Sequence, residues 1–224
     1  MKLILFDVDG TLVDSQDLIV VALAAAFAAH DLVPPTRDRA LSIVGLSLPE
    51  AFKVLVGGDG PVGSLAQAYR DAYNRLAAEP ANGEPLYPGA AACLRALHRH
   101  PDALLGLATG KSRRGVRRLL VRHGWEHVFV TTQTADDAPS KPHPAMIEQA
   151  MRAAGTTESD TVMIGDSAYD MVMARAAGVL PIGVSWGFQP AAVLVAAGAE
   201  LLVDSYAELN AALGHLLAPS NSVV

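Results

Sequence analysis

Asp7 and Asp9 stand two positions apart where an unbroken apolar run, Leu3 to Phe6, stops. Such a run suits a strand buried on both faces of a parallel sheet. Two carboxylates delivered by a buried strand to a tight turn are costly unless a cation neutralises them. The pair therefore implies a magnesium site beside a nucleophile. Gly10, lacking a Cβ, lets the turn bring backbone N–H groups close to whatever the acids hold. A calcium loop of the EF-hand kind would need Asp or Asn, then Gly, and later Glu where Thr11, Leu12 and Leu18 stand. An ordinary surface turn, for which Asp and Gly are common residues, is the competing reading.

Residues farther along decide between them. In an open parallel sheet the binding crevice lies beyond the carboxyl ends of the strands. A second strand candidate, Ala103 to Ala108, runs into Thr109 and Gly110, a hydroxyl and an N–H suited to a phosphate. Ser140-Lys141-Pro142 follows the third candidate and puts a cation in the same crevice. The fourth, Thr161 to Ile164, opens into Gly165-Asp166-Ser167-Ala168-Tyr169-Asp170. Singly, each has a plain explanation: a strand threonine, a solvated lysine, an aspartate capping a helix. Their joint arrival at strand ends argues for a site.

Positioning these residues requires alternating strands and helices. Ser15 can cap a helix through Ile19, Leu23 and Phe27 that Pro34-Pro35 ends. Helical patterns follow at Arg37 to Val44, Leu48 to Val56 and Ser64 to Ala78, with no strand-like alternation before Asn82. Thereafter strands at Ala103 to Ala108, Val128 to Thr131, Thr161 to Ile164, Leu180 to Val184 and Leu201 to Val203 alternate with helices. Those helices are Ala90 to His98, Arg113 to His123, Pro144 to Ala154 and Tyr169 to Ala177. The pattern predicts an α/β fold: a Rossmann-like parallel sheet with helices on both faces, interrupted after its first strand by an α-helical cap. Residues 1–14 and 86–218 are assigned to the α/β core and 15–85 to the cap. Pro80 to Pro88 reads as the return hinge, and 219–224 as a disordered tail.

Composition narrows the classes. With 224 residues, 51% hydrophobic and 18% charged, the chain is not a disordered one. A net charge of −6 argues against a general nucleic-acid binder. A lone cysteine, Cys93, excludes an intrachain disulfide framework and a cysteine-based zinc site. The apolar stretches are too short or too broken for a signal peptide or a membrane span. The expectation is a cytoplasmic protein with no nucleic-acid or membrane partner.

In motif order, spacing and insert, nearly the whole chain resembles the haloacid dehalogenase-like superfamily of phosphohydrolases. The motifs are Asp7 to Thr11 (DVDGT), Thr109-Gly110, Lys141 before a proline, and Gly165 to Asp170 (GDSAYD). The cap type, the SKPHP segment and Gly183 to Gly187 (GVSWG) look most like phosphoglycolate phosphatases. The resemblance implies that Asp7 attacks phosphorus to form an aspartyl-phosphate and that Asp9 acts as general acid, then base. It implies Mg²⁺ on Asp7, Asp166 and the main-chain carbonyl of Asp9, with Asp170 reaching the metal through water or holding its shell. Gly10, Thr109, Gly110 and Lys141 would surround the phosphate. Because Asp9 is present, carbon–halogen hydrolysis is not expected.

The implied substrate is a small phosphorylated metabolite, 2-phosphoglycolate first, acted on by a monomer or homodimer. Other small-molecule phosphatases, a pyrophosphatase, a phosphosugar mutase and a non-enzymatic phosphate-responsive module are the alternatives. Several patterns lead nowhere. Gly58, Gly60 and Gly63 match a dinucleotide fingerprint, but inside a helical region with no preceding strand. Gly106 to Ser112 falls one residue short of a P-loop. The arginines of 113–122 read as a solvated helix face, and His143 as a loop residue.

Overall fold

The computed structural model describes residues 1–79 and 84–218. The proposed tail and residues 80–83 of the return hinge lie outside them. Strand β1 (Lys2–Phe6) leads into four helices, α1 (Gln16–Ala28), α2 (Arg37–Leu41), α3 (Leu48–Val56) and α4 (Val62–Ala78). The chain then alternates through α5 (Ala90–His98), β2 (Ala103–Ala108), α6 (Arg113–His123), β3 (Thr131–Gln133) and α7 (Ala145–Ala154). It ends with β4 (Thr161–Gly165), α8 (Ala168–Ala176), β5 (Leu180–Val184), α9 (Ala191–Ala197), β6 (Leu201–Val203) and α10 (Tyr206–Leu217).

All strand pairs are parallel, in the order β3-β2-β1-β4-β5-β6. β1 is central, flanked by β2 and β4, so its end meets theirs. Its side chains alternate between faces, as the pleat requires. Ile4 and Phe6 pack with Cys93, Leu94 and Leu97 of α5 and Leu209 and Leu213 of α10. Leu3 and Leu5 pack with Met146, Ile147 and Met151 of α7 and Met173 of α8. Apolar residues are therefore needed on both faces, which explains the unbroken run before Asp7.

The helices α1 to α4 enclose a separate apolar cluster around Leu23, Phe27, Phe52, Leu65 and Tyr73. Phe52 is fully buried there, and Phe52→Ala would cost about 3–5 kcal/mol.

Three local expectations change. The helix expected to run from Arg37 to Val44 stops at Leu41, because Val44 and Leu46 donate to carbonyls three residues back and Gly45 turns at φ +104°. The third strand is Thr131–Gln133 rather than Val128 to Thr131. Val128 and Phe129 instead pack against the core beside Trp125. Ser15 precedes α1 but makes no side-chain cap, since its hydroxyl serves Asp9.

Candidate active site

The Asp7 N–H still belongs to the sheet, donating to the Ile164 carbonyl at 2.9 Å. The chain then folds back, with Leu12 and Val13 N–H groups on the Val8 carbonyl at 2.9 and 3.0 Å. Asp7 and Asp9 are consequently held on one short, buried loop. Gly10 is required at the bend: its φ is +87°, and a Cβ there would lie 2.1 Å from Asp166 Oδ2. Its own N–H donates to the Val13 carbonyl at 2.9 Å. Gly10 thus gives room to Asp166, and its own N–H is engaged within the turn.

Lys141, fully buried, stands 3.1 Å from Asp7 Oδ1 and 2.5 Å from Asp170 Oδ1. The other oxygen of Asp170 accepts from Ser167, Oγ at 2.6 Å and N at 3.2 Å, in a reciprocal cap that begins α8. The helix start therefore fixes Asp170, and Asp170 aims Lys141. Burial disfavours the Lys141 ammonium, but Asp170 and Asp7 outweigh it and raise its pKa above the ordinary lysine value. Asp166 accepts from the Phe188 N–H at 2.8 Å and from the Thr11 hydroxyl at 3.1 Å.

One carboxylate oxygen each of Asp7, Asp166 and Asp170 lies within 4.8 Å of the others, all three residues buried. Burial pushes the carboxyls of Asp7 and Asp166 up, and neighbouring acids push them farther; for Asp7, Lys141 partly opposes this. Asp7 Oδ1 has no hydrogen-bond donor, although Lys141 is close. Three buried acids, one nearby ammonium and an orphaned oxygen fit a hard divalent cation that takes oxygen ligands. The Asp9 carboxylate points elsewhere.

Thr109 ends β2, its N–H on the Gln133 carbonyl at 2.9 Å and its hydroxyl accepting from the Lys111 N–H at 3.2 Å. At Gly110 the cap comes close: a Cβ would lie 2.5 Å from the Gly45 carbonyl oxygen and 2.7 Å from that of Leu46. The glycine thus admits the cap backbone as well as presenting an N–H. Ser47 N–H donates to Ser140 Oγ at 2.8 Å, a second tie from the same cap loop to the core. His143 is an exposed loop residue whose Nδ1 accepts from the Ala145 N–H.

A second buried network escapes the motifs. Lys111 Nζ contacts Asp9 Oδ1 and Oδ2 at 2.8 and 3.1 Å, Glu84 Oε1 at 2.7 Å and the Tyr73 hydroxyl at 3.0 Å. Tyr73 in turn donates to Glu84 Oε1 at 2.6 Å, and Ser15 Oγ donates to Asp9 Oδ1 at 2.7 Å. Arg118 lies 5.5 Å from the Tyr73 ring and 3.6 Å from Glu84. Burial raises the Asp9 pKa, with Lys111 opposing. Glu84, despite its burial, is pulled down to about 2, chiefly by Lys111. The legible signal was Lys111, a cation two residues past Thr109; nothing local marks Glu84.

Between cap and core lies a cavity of about 580 Å³ whose wall includes Asp7, Asp9, Thr109, Gly110, Lys111, Gly45 and Tyr73. The sequence model of the haloacid dehalogenase-like hydrolase family matches residues 4–184. The chain belongs to that family. It is 33% identical to a probable phosphatase, IndB, of Dickeya dadantii (strain 3937), over 99% of this chain and 97% of the relative. It is 32% identical to a phosphoglycolate phosphatase of Rhodospirillum rubrum, over 95% and 91% of the two chains. The crystal structure of a predicted phosphatase from Clostridium acetobutylicum, 26% identical, superposes with a TM-score of 0.82 over 96% of this chain and 98% of that one. The parallel sheet and its helices are thus those of a haloacid dehalogenase-like hydrolase.

Proposed function

We propose that the protein hydrolyses phosphate monoesters of small metabolites through an aspartyl-phosphate on Asp7. The observation that carries this reading is the convergence of Asp7, Lys141, Asp166 and Asp170 beside Thr109 and Gly110. Asp7 attacks phosphorus and the ester oxygen leaves with a proton from Asp9. Water, losing a proton to Asp9, then breaks the Asp7–phosphorus bond and releases phosphate. Burial raises the Asp9 pKa and favours the protonated form needed in the first step.

Thr109, the Gly110 N–H and Lys141 hold the phosphoryl oxygens, supplying position and charge where phosphoryl transfer needs them. Asp7 and Asp166, with Asp170 beside them, would hold Mg²⁺, which when bound compensates the charge of the acids and the phosphoryl group. Among the described residues no helix is long and apolar enough to cross a membrane; the reading includes a cytoplasmic location. By family likeness, 2-phosphoglycolate heads the substrates to assay.

The test is phosphate release from a panel of metabolite esters, with and without Mg²⁺, by the wild type and by Asp7→Asn. Metal-dependent release by the wild type, reduced at least about 10³-fold in the variant, supports the assignment. Undiminished turnover by Asp7→Asn would remove Asp7 as nucleophile.

A further inference from the structure

Three loops meet behind the buried acids. Those after β1 and β4 carry Asp7 and Asp166; the third, Ser185 to Pro190 after β5, carries no acid. The Asp7 loop fixes its own shape through hydrogen bonds to the Val8 and Val13 carbonyls. Those internal bonds leave open how the loop sits against Asp166. The Thr11 hydroxyl, which donates to Asp166 Oδ1 at 3.1 Å, joins the two.

Thr11, fully buried, is itself gripped from outside the loop. Its carbonyl oxygen accepts from Trp186 Nε1 at 3.1 Å and from the hydroxyl of Tyr206, at the start of α10, at 2.8 Å. A carbonyl oxygen has two lone pairs, so both are used. The Trp186 and Tyr206 rings lie 4.7 Å apart at 34°, each steadying the other over the same oxygen. Two residues past Trp186, the Phe188 N–H donates to Asp166 Oδ2 at 2.8 Å. Gly187 between them passes so close that a Cβ would lie 2.1 Å from that of Asp166.

These contacts close a ring. Trp186 holds Thr11, Thr11 holds one oxygen of Asp166, Phe188 holds the other, and the chain fixes Trp186 and Phe188 two residues apart. Releasing the Thr11 carbonyl frees the Asp7 loop to shift against Asp166. Mg²⁺ demands near-ideal octahedral geometry from its oxygen ligands, so such a shift weakens its binding.

Building on the reading in which Asp7 and Asp166 hold Mg²⁺, we propose that Trp186 and Tyr206 are positioning residues of the cation site. Neither lines the cavity. They act through the Thr11 carbonyl, setting the Asp7 loop against Asp166.

The test titrates the full chain with Mg²⁺ alone, by isothermal calorimetry, as wild type, Trp186→Phe, Tyr206→Phe and the double variant. Each change deletes one donor and keeps a ring for the stack. The Mg²⁺ dissociation constant is expected to rise about tenfold in each single variant and further in the double. The half-saturating Mg²⁺ concentration for phosphate release should rise in parallel. A purely structural role predicts lower melting temperatures with wild-type Mg²⁺ affinity, and that result overturns the proposal. A wild type that takes up no Mg²⁺ overturns it too, and removes the metal from the phosphatase reading. A wild type that binds Mg²⁺ but releases phosphate from no ester overturns the phosphatase reading alone, because calorimetry still decides the role of the two rings. Should Trp186→Phe fail to fold, Tyr206→Phe decides.

Discussion

Lys111 joins Asp9 to the cap: its Nζ lies 2.8 Å from Asp9 Oδ1, 2.7 Å from Glu84 Oε1 and 3.0 Å from the hydroxyl of Tyr73 in α4. The side chain that holds Asp9, the proposed acid–base residue, thus also ties the cap helix to the core. Lys111→Met leaves two buried carboxylates without their cation and should destabilise the protein by about 3–5 kcal/mol in urea unfolding. Where the variant remains folded, kcat should fall more for an alkyl phosphate than for 4-nitrophenyl phosphate, whose leaving group needs no proton. Equal losses on both would mean that Lys111 does not position Asp9.

Gly110 is where cap backbone and phosphate loop nearly touch. A Cβ at 2.5 Å from the Gly45 carbonyl oxygen has no flexible side chain to push aside, so Gly110→Ala must move the cap loop. The change removes no side chain from any apolar cluster, although Leu46 packs against that of the cap, and thermal stability should stay within a few degrees. Turnover should drop by about tenfold to a hundredfold through misplacement of the closing loop. A fully active Gly110→Ala would show that this approach is dispensable.

Binding of a divalent cation by the three buried acids would have a pH signature. Asp7 and Asp166 have folded pKa values raised above the ordinary 3.8 by burial and neighbouring acids. The metal-free fold therefore binds these protons more tightly than the unfolded chain does, and its stability declines as pH rises through that window. A cation that needs the ionised acids relieves the cost at high pH and competes with protons at low pH. Melting with Mg²⁺ and with chelator should differ by several degrees at alkaline pH and converge as the pH falls and the acids take up protons. A difference independent of pH would contradict the three-acid site.

Glu84 works in the opposite sense. Its pKa is lowered from 4.5 to about 2, with Lys111 overcoming burial. The stabilisation is complete above about pH 4.5 and is lost as pH falls through about 2, on the order of 3 kcal/mol in all. The stability gap between wild type and Glu84→Gln should therefore be constant near neutrality and close in acid. Urea unfolding at a series of pH values measures it, and a gap that persists unchanged to the acid limit would exclude Glu84 as its source.

The short-range consequences of side-chain chemistry were determined by the sequence alone. Apolar runs buried on both faces marked β1, β2, β4 and β5, and the change of character at their ends marked Asp7, Thr109, Asp166 and Asp170 with the N–H of Gly110, because a strand ending at the crevice must change character there. Edges were less legible. At β3 the same apolar residues can pair as a strand or pack as a loop, and Trp125 decided for packing at Val128 and Phe129.

What only the tertiary structure decided is which charges meet. Ser15, read as a helix cap, gives its hydroxyl to Asp9; Gly10, read as a turn residue beside the phosphate, also makes space for Asp166. Glu84, Lys111 and Tyr73 come from the return segment, the loop between β2 and α6, and the cap, and converge only when the cap packs on the core. Local sequence carries no trace of such a meeting, because an ion pair across 27 residues is set by how two apolar clusters dock and not by the residues on either side of the charge.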